Sequence, residues 1–304
     1  MKRAALIIGI DKYEDPAIRP LLYAERDATE LHGFFKYRAG YDDVRLLQRA
    51  GEDEILNCAA EITRALAPGD LFVFFFAGHG ITHTGRHLLL GPRARLRRLE
   101  FFQGAVPVDL LKNETAQAGV QRVFILDACR NDLEQGRDAA GPGLQGEQLL
   151  RDVVCGKTAA SFAPLALVCS CAEGRKALEA PQLGQGLFSR ALLEEMQAAL
   201  EIKAELTCGE AFQQRLRERM GRLSEQCGLA SDQHPWVQLS DEAPVLIPGG
   251  REPAGEDAPP LKSPAADAPN RPAKAICPAC GLRNDPGDHR SVRHFYLAEN
   301  PVSH

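Results

Sequence analysis

Short unbroken apolar runs alternate along this chain with longer stretches of helical period. Residues 4–10, Ala-Ala-Leu-Ile-Ile-Gly-Ile, contain no polar position, the pattern of a strand buried on both faces. Leu22, Ala28, Leu31 and Phe35 then recur at helical spacing and predict a helix over 21–37. A short strand over 44–48, an amphipathic helix over 52–66 and the turn Pro68-Gly69-Asp70 lead into the most apolar run, 71–77. Residues 87–90 read as a returning strand, 108–117 as a helix and 122–126 as another buried strand. After a segment without sustained period, 131–160, come a strand over 165–170, helices over 189–200 and 209–223, and a last strand over 236–239. Strand and helix in alternation predict an α/β fold, a mostly parallel sheet with helices on both faces.

Composition changes near residue 240. Residues 241–275 hold eight prolines and eight alanines with few aliphatics, the make-up of an extended linker. The expected organisation is a catalytic-sized domain over 1–240, a Pro/Ala-rich linker over 241–275 and a flexible tail over 276–304. A net charge of −5 offers no basic surface of the kind nucleic acid or an anionic membrane requires, so protein or peptide partners are expected. The run after Met1-Lys2-Arg3 meets Asp11-Lys12 without a small-residue cleavage site, so it reads as a first strand rather than a signal peptide. The run 71–77 falls far short of the roughly 20 residues that span a bilayer. Nine scattered cysteines, an odd number, suit reduced thiols and a cytoplasmic location.

Two core strands end in reactive residues, Ala77-Gly78-His79-Gly80 and Asp127-Ala128-Cys129-Arg130. In open α/β sheets the loops at the carboxyl ends of strands converge on one site. A nucleophilic thiol needs a neighbour that accepts its proton, and histidine titrates in the right range. The glycines on both sides of His79 are expected to turn the backbone sharply and leave the imidazole open to substrate, and the amides of Gly80 and Cys129 to bind the oxyanion. Either residue alone would read as a satisfied core histidine or an inert thiol; their joint setting favours a catalytic dyad.

The strings Phe76-Ala77-Gly78-His79-Gly80 and Asp127-Ala128-Cys129-Arg130-Asn131, with His79 placed 50 positions before Cys129, resemble the caspase-like cysteine peptidases, and among them the bacterial metacaspase-like enzymes called orthocaspases. The resemblance extends to residues 6–13, 177–179 and 186–189 and covers about 1–240. It implies a Cys129/His79 endopeptidase needing no cofactor for its chemistry. The Arg130-Asn131 context differs from that of animal caspases, whose substrates end in aspartate, so their specificity does not transfer. Metacaspase-like enzymes hold a basic substrate side chain with acids; Asp127 matches one and Asp27, in Ala24-Glu25-Arg26-Asp27-Ala28, the other. Cleavage after Arg or Lys follows from the resemblance, and paired carboxylates suit a guanidinium fork.

Arg137, Arg151 and Lys157 offer self-cleavage sites within 131–160, expected to be a long mobile loop; solvated loop charges are the competing reading. In the tail, Cys277 and Cys280 form half of a zinc knuckle that His289 or His294 would complete, against a chance pair in a flexible segment. His83 and His87 are expected on a hairpin with exposed imidazoles, and Cys169 and Cys171 in the core or lining a pocket. Two other functions stay open: a catalytically silent binding module on this fold, and a gingipain-like or legumain-like thiol hydrolase. The sequence does not decide a calcium requirement.

Overall fold

The computed structural model describes residues 1–83, 86–101, 103–129, 164–171, 177–229, 231, 233–240, 242–250, 275–276 and 283–284, with the backbone alone at 99–101, 129, 275–276 and 283–284. The segment 131–160 and the tail residues Cys277, Cys280, His289 and His294 lie outside the described residues. The chain divides into two compact units, 1–266 and 267–304.

Five parallel strands form the centre of the first unit: β1 (Arg3–Gly9), β2 (Asp43–Gln48), β3 (Leu71–His83), β6 (Gln121–Cys129) and β7 (Leu165–Cys169). Their order across the sheet is β7-β6-β3-β1-β2, and β11 (Trp236–Leu239) adds to β7 as an antiparallel edge. Period-two alternation explains why the apolar runs are unbroken. Phe72, Phe74 and Phe76 point to one face, against α2 (Glu52–Arg64) and α3 (Val108–Glu114). Val73, Phe75 and Ala77 point to the other, which is covered by α1 (Ala24–Gly33), α4 (Leu187–Glu201) and α5 (Glu210–Gln226). The four phenylalanines of β3 are fully buried, each contributing about 1.5–3 kcal/mol of apolar transfer free energy.

Helix α1 starts at Ala24, not at 21, and passes into a wider π-helical turn over Phe34–Arg38, closed by the Ala39 N–H donating to Phe34 O at 2.8 Å. Its N-terminus is satisfied from a distance. Asp11 Oδ1 accepts from the Ala24 and Glu25 amides (2.7 and 3.3 Å), and Glu179 Oε1 from the Leu22 and Tyr23 amides (2.6 and 3.0 Å). Gly9 lets α1 lie against β1, since a Cβ there would stand 2.4 Å from Ala24 O.

The expected linker begins too early at 241. Residues Val245–Ile247 form β12, paired with β10 (Leu206–Thr207), and Leu246 and Ile247 are fully buried in the main core. Three aliphatics between Pro244 and Pro248 are enough for a core strand, but composition averaged over 35 residues conceals them. In the second unit, Ala275–Ile276 and Arg283–Asn284 form a two-stranded antiparallel pair.

Candidate active site

The parallel pairing of β3 with β6 runs in register to its last pair, His79 with Cys129. Strand β3 does not end there as the sequence suggests. From Gly80 it turns to a new partner, β4 (Arg86–Leu90), with Gly80 opposite Leu89, and β5 (Ala105–Pro107) extends this hairpin. The two predicted dyad residues are thus adjacent across one sheet, at the point where β3 leaves β6.

His79 is 2% exposed, so the expectation of an open imidazole is corrected. Its flanking glycines do not take up positive φ either. Gly78 is required by close approach: a Cβ there would meet the Phe76 ring at 2.8 Å and Tyr13 Oη at 3.1 Å. The His79 N–H donates to Tyr13 Oη (2.8 Å), Tyr13 donates to Ile10 O (3.2 Å), and the two rings pack with centroids 5.0 Å apart. His79 Nε2 lies 2.7 Å from Arg19 O. A carbonyl oxygen only accepts, so Nε2 carries the proton of the neutral ring and Nδ1 is the basic nitrogen. The loop between β1 and α1 therefore fixes both the orientation and the tautomer of the imidazole, a role no sequence motif signals.

Asp127 lies two residues before Cys129 on β6, on the face covered by α1 and α4. It is 9% exposed, and its Oδ2 accepts from Ser189 Oγ at 2.6 Å. Asp27, 3% exposed on α1, reaches the same place: its Oδ2 accepts from the Gly186 N–H at 2.9 Å, while its buried Oδ1 has no partner among the described residues. Gly186 ends β9 (Gln185–Gly186), which pairs with β8 (Glu179–Ala180). A Cβ on Gly186 would stand 2.9 Å from Asp27 Oδ2 and 3.2 Å from Asp127 Oδ2, so both carboxylates crowd this position and only glycine leaves them room.

Burial, foremost, pushes the Asp27 carboxyl well above the usual carboxylate range, and the neighbouring Asp127 and Glu179 charges add to the rise. Burial also raises Asp127, with Ser189 hydrogen bonding opposing it. Glu179 is raised by burial too, with Asp11 and Asp127 as weaker contributors. None of the ion pairs among the described residues includes Asp27, Asp127 or Glu179. The result is a desolvated acidic cluster beside the His79/Cys129 end of the sheet.

The structure brings Asp127 and Asp27 together as the sequence suggested and adds Glu179, Ser189 and Gly186. Glu179, Gly186 and Ser189 lay within the resembling strings, but their roles depend on contacts made far along the chain. Cys169 and Cys171 are buried, as expected. His87 occupies the expected hairpin but is 7% exposed, with Nδ1 3.0 Å from Thr82 Oγ1; the neighbouring strand β5 covers what a two-stranded hairpin would leave open. No group of metal-ligating side chains occurs among the described residues, and no helix among them is long and apolar enough to cross a membrane.

Two solved structures share this architecture. Protein GSU0716 from Geobacter sulfurreducens is 17% identical, with a TM-score of 0.56 over 79% of this chain and 94% of its own. Caspase-1 from Spodoptera frugiperda is 12% identical, with a TM-score of 0.56 over 82% of this chain and 91% of its own. No curated protein shows significant similarity. The family model described as Caspase domain matches residues 2–244, and the chain belongs to this family of cysteine peptidases.

Proposed function

We propose that this chain is an endopeptidase that cleaves after arginine or lysine, with Cys129 as nucleophile and His79 as its base. The observation that carries the reading is the pair of buried carboxylates, Asp27 and Asp127, both close to Gly186 and neither in an ion pair among the described residues. A desolvated acid pair is costly until a cation arrives, and a guanidinium can donate to both at once. Aspartate in the same pocket would be repelled.

In this mechanism Nδ1 of His79 takes the Cys129 thiol proton, and the thiolate attacks the carbonyl carbon of the scissile bond. The amides of Gly80 and Cys129 are the proposed oxyanion donors. The imidazolium, held by Arg19 O, then returns the proton to the leaving amine, and water hydrolyses the thioester. Self-cleavage at Arg137, Arg151 or Lys157 belongs to the same proposal.

The test is hydrolysis of arginyl fluorogenic peptides by the full chain and its variants. Cys129→Ala should abolish turnover without loss of folding, and His79→Ala should lower it by several orders of magnitude. Undiminished turnover by Cys129→Ala would refute the mechanism.

A further inference from the structure

Outside the acidic cluster, the chain carries an unusually dense basic string, Arg93-Ala94-Arg95-Leu96-Arg97-Arg98, between β4 and β5. Its position follows from the loop that orients His79. Beyond Arg19, that loop is tied to the arginine segment: the Glu14 N–H donates to Pro92 O (2.8 Å), the Leu96 N–H to Asp15 Oδ2 (2.9 Å), and Arg95 pairs with Glu14 (2.9 Å). Asp15, Ala17 and Arg95 to Arg98 line a groove of about 550 Å³.

Among the described side chains, two negative groups lie at this groove, and both are engaged. Glu14 is paired with Arg95, and the Asp15 carboxylate accepts from the Ala17 and Leu96 amides. Those amide bonds, and more weakly Arg95 and Arg97, hold Asp15 below the usual carboxylate range. Arg97 and Arg98 are exposed and make no ion pair among the described residues.

The direction of a bound peptide comes from chemistry. The general acid must face the departing amine, so residues after the scissile bond leave past His79, toward the loop whose Arg19 carbonyl holds it. Residues before the bond lie toward Asp127 and Asp27. The two ends of the site therefore carry opposite charge.

We propose that the Arg95–Arg98 groove binds acidic residues of the substrate that follow the scissile bond, so that preferred targets carry arginine or lysine before the cut and glutamate or aspartate within a few residues after it. The proposal rests on the peptidase reading above. A short acidic segment fits better than a long polyanion such as nucleic acid, which would extend past the few arginines of the groove over a chain whose net charge is −5.

The test uses the full chain and internally quenched peptides with arginine before the cut, followed by glutamate-rich or glutamine-rich sequence. Exposed ion pairs are individually weak, so kcat/KM should favour the glutamate peptide by about three- to tenfold at low salt, falling toward parity at high salt. The double variant Arg97→Glu/Arg98→Glu should reverse the order and favour a lysine-rich segment. A ratio near one for the unmodified chain, or a ratio unmoved by the double variant, would overturn the proposal. So would a single-stranded oligonucleotide binding the groove while the peptide ratio stays near one. An arginyl aminocoumarin amide, with no residue after the scissile bond, separates the two failures: if it is not cleaved, the peptidase reading falls and this proposal with it. If it is cleaved while the peptides show no preference, only the groove assignment falls.

Discussion

Asp27→Asn should raise stability while lowering activity, a combination that a merely structural carboxylate does not produce. Asp27 is 3% exposed, has one oxygen partnered and one without a partner among the described residues, and lies near Asp127 beside Gly186. Asparagine keeps an acceptor for the Gly186 amide and replaces the costly charge with a donor that can point toward Asp127. The sign follows from linkage: the folded state holds the Asp27 proton more tightly than the unfolded chain, so its carboxyl costs stability as pH rises above the unfolded value of 3.8. Removing it should therefore stabilise most at neutral and higher pH, and little in acid. Relief of about 1 kcal/mol, the scale of a buried unsatisfied polar group, should raise Tm by about 2–4 °C for a domain of this size. Turnover should move the other way. A hydrogen bond between charged groups contributes about 1.5–3 kcal/mol, so kcat/KM for arginyl substrates should drop by about ten- to hundredfold. Thermal unfolding at two pH values, together with steady-state kinetics, checks both halves. A lower Tm with undiminished arginine turnover would refute the reasoning.

Gly186→Ala places a methyl group against both carboxylates and should cut arginine turnover as strongly as Asp27→Asn, by displacing the acids rather than discharging one; kinetics indistinguishable from the unmodified chain would contradict the packing. Ser189→Ala removes the hydroxyl donor to Asp127, so the acid limb of the pH profile of kcat/KM should shift to higher pH, whereas a role in folding alone would leave that limb in place. If Cys277 and Cys280 hold zinc with His289 or His294, the full chain should bind one metal equivalent that the double Ser variant loses while peptidase activity persists; metal-free protein by elemental analysis would exclude it.

The centre of the fold was legible because strands buried on both faces write themselves as unbroken apolar runs, and 4–10, 71–77 and 122–126 became β1, β3 and β6. Strands β8, β9, β10 and β12 were not legible. Two or three residues long, they are defined by partners rather than by any period of their own. The same division runs through the site. His79, Cys129 and Asp127 lie in compact local strings, whereas Arg19 acts through a carbonyl that every residue possesses. Glu179 reaches the start of α1 from more than 150 positions away in the chain. Glycine was misjudged for a related reason: the sequence suggested freedom to turn at Gly78, while the structure uses the absence of a side chain against Phe76 and Tyr13.

The central claim is that Asp127 and Asp27 select a cation before the scissile bond. It is tested most directly by a cleavage profile over peptides that differ only at that residue, for the full chain and for Asp127→Ala. Arginine should outrun lysine, aspartate should not be cleaved, and the variant, which loses one side of a buried charge pair costing on the order of 3–5 kcal/mol, should turn over arginine at least about a hundredfold more slowly. Preferred cleavage after aspartate, or an Asp127→Ala chain that keeps its arginine preference, would contradict the account.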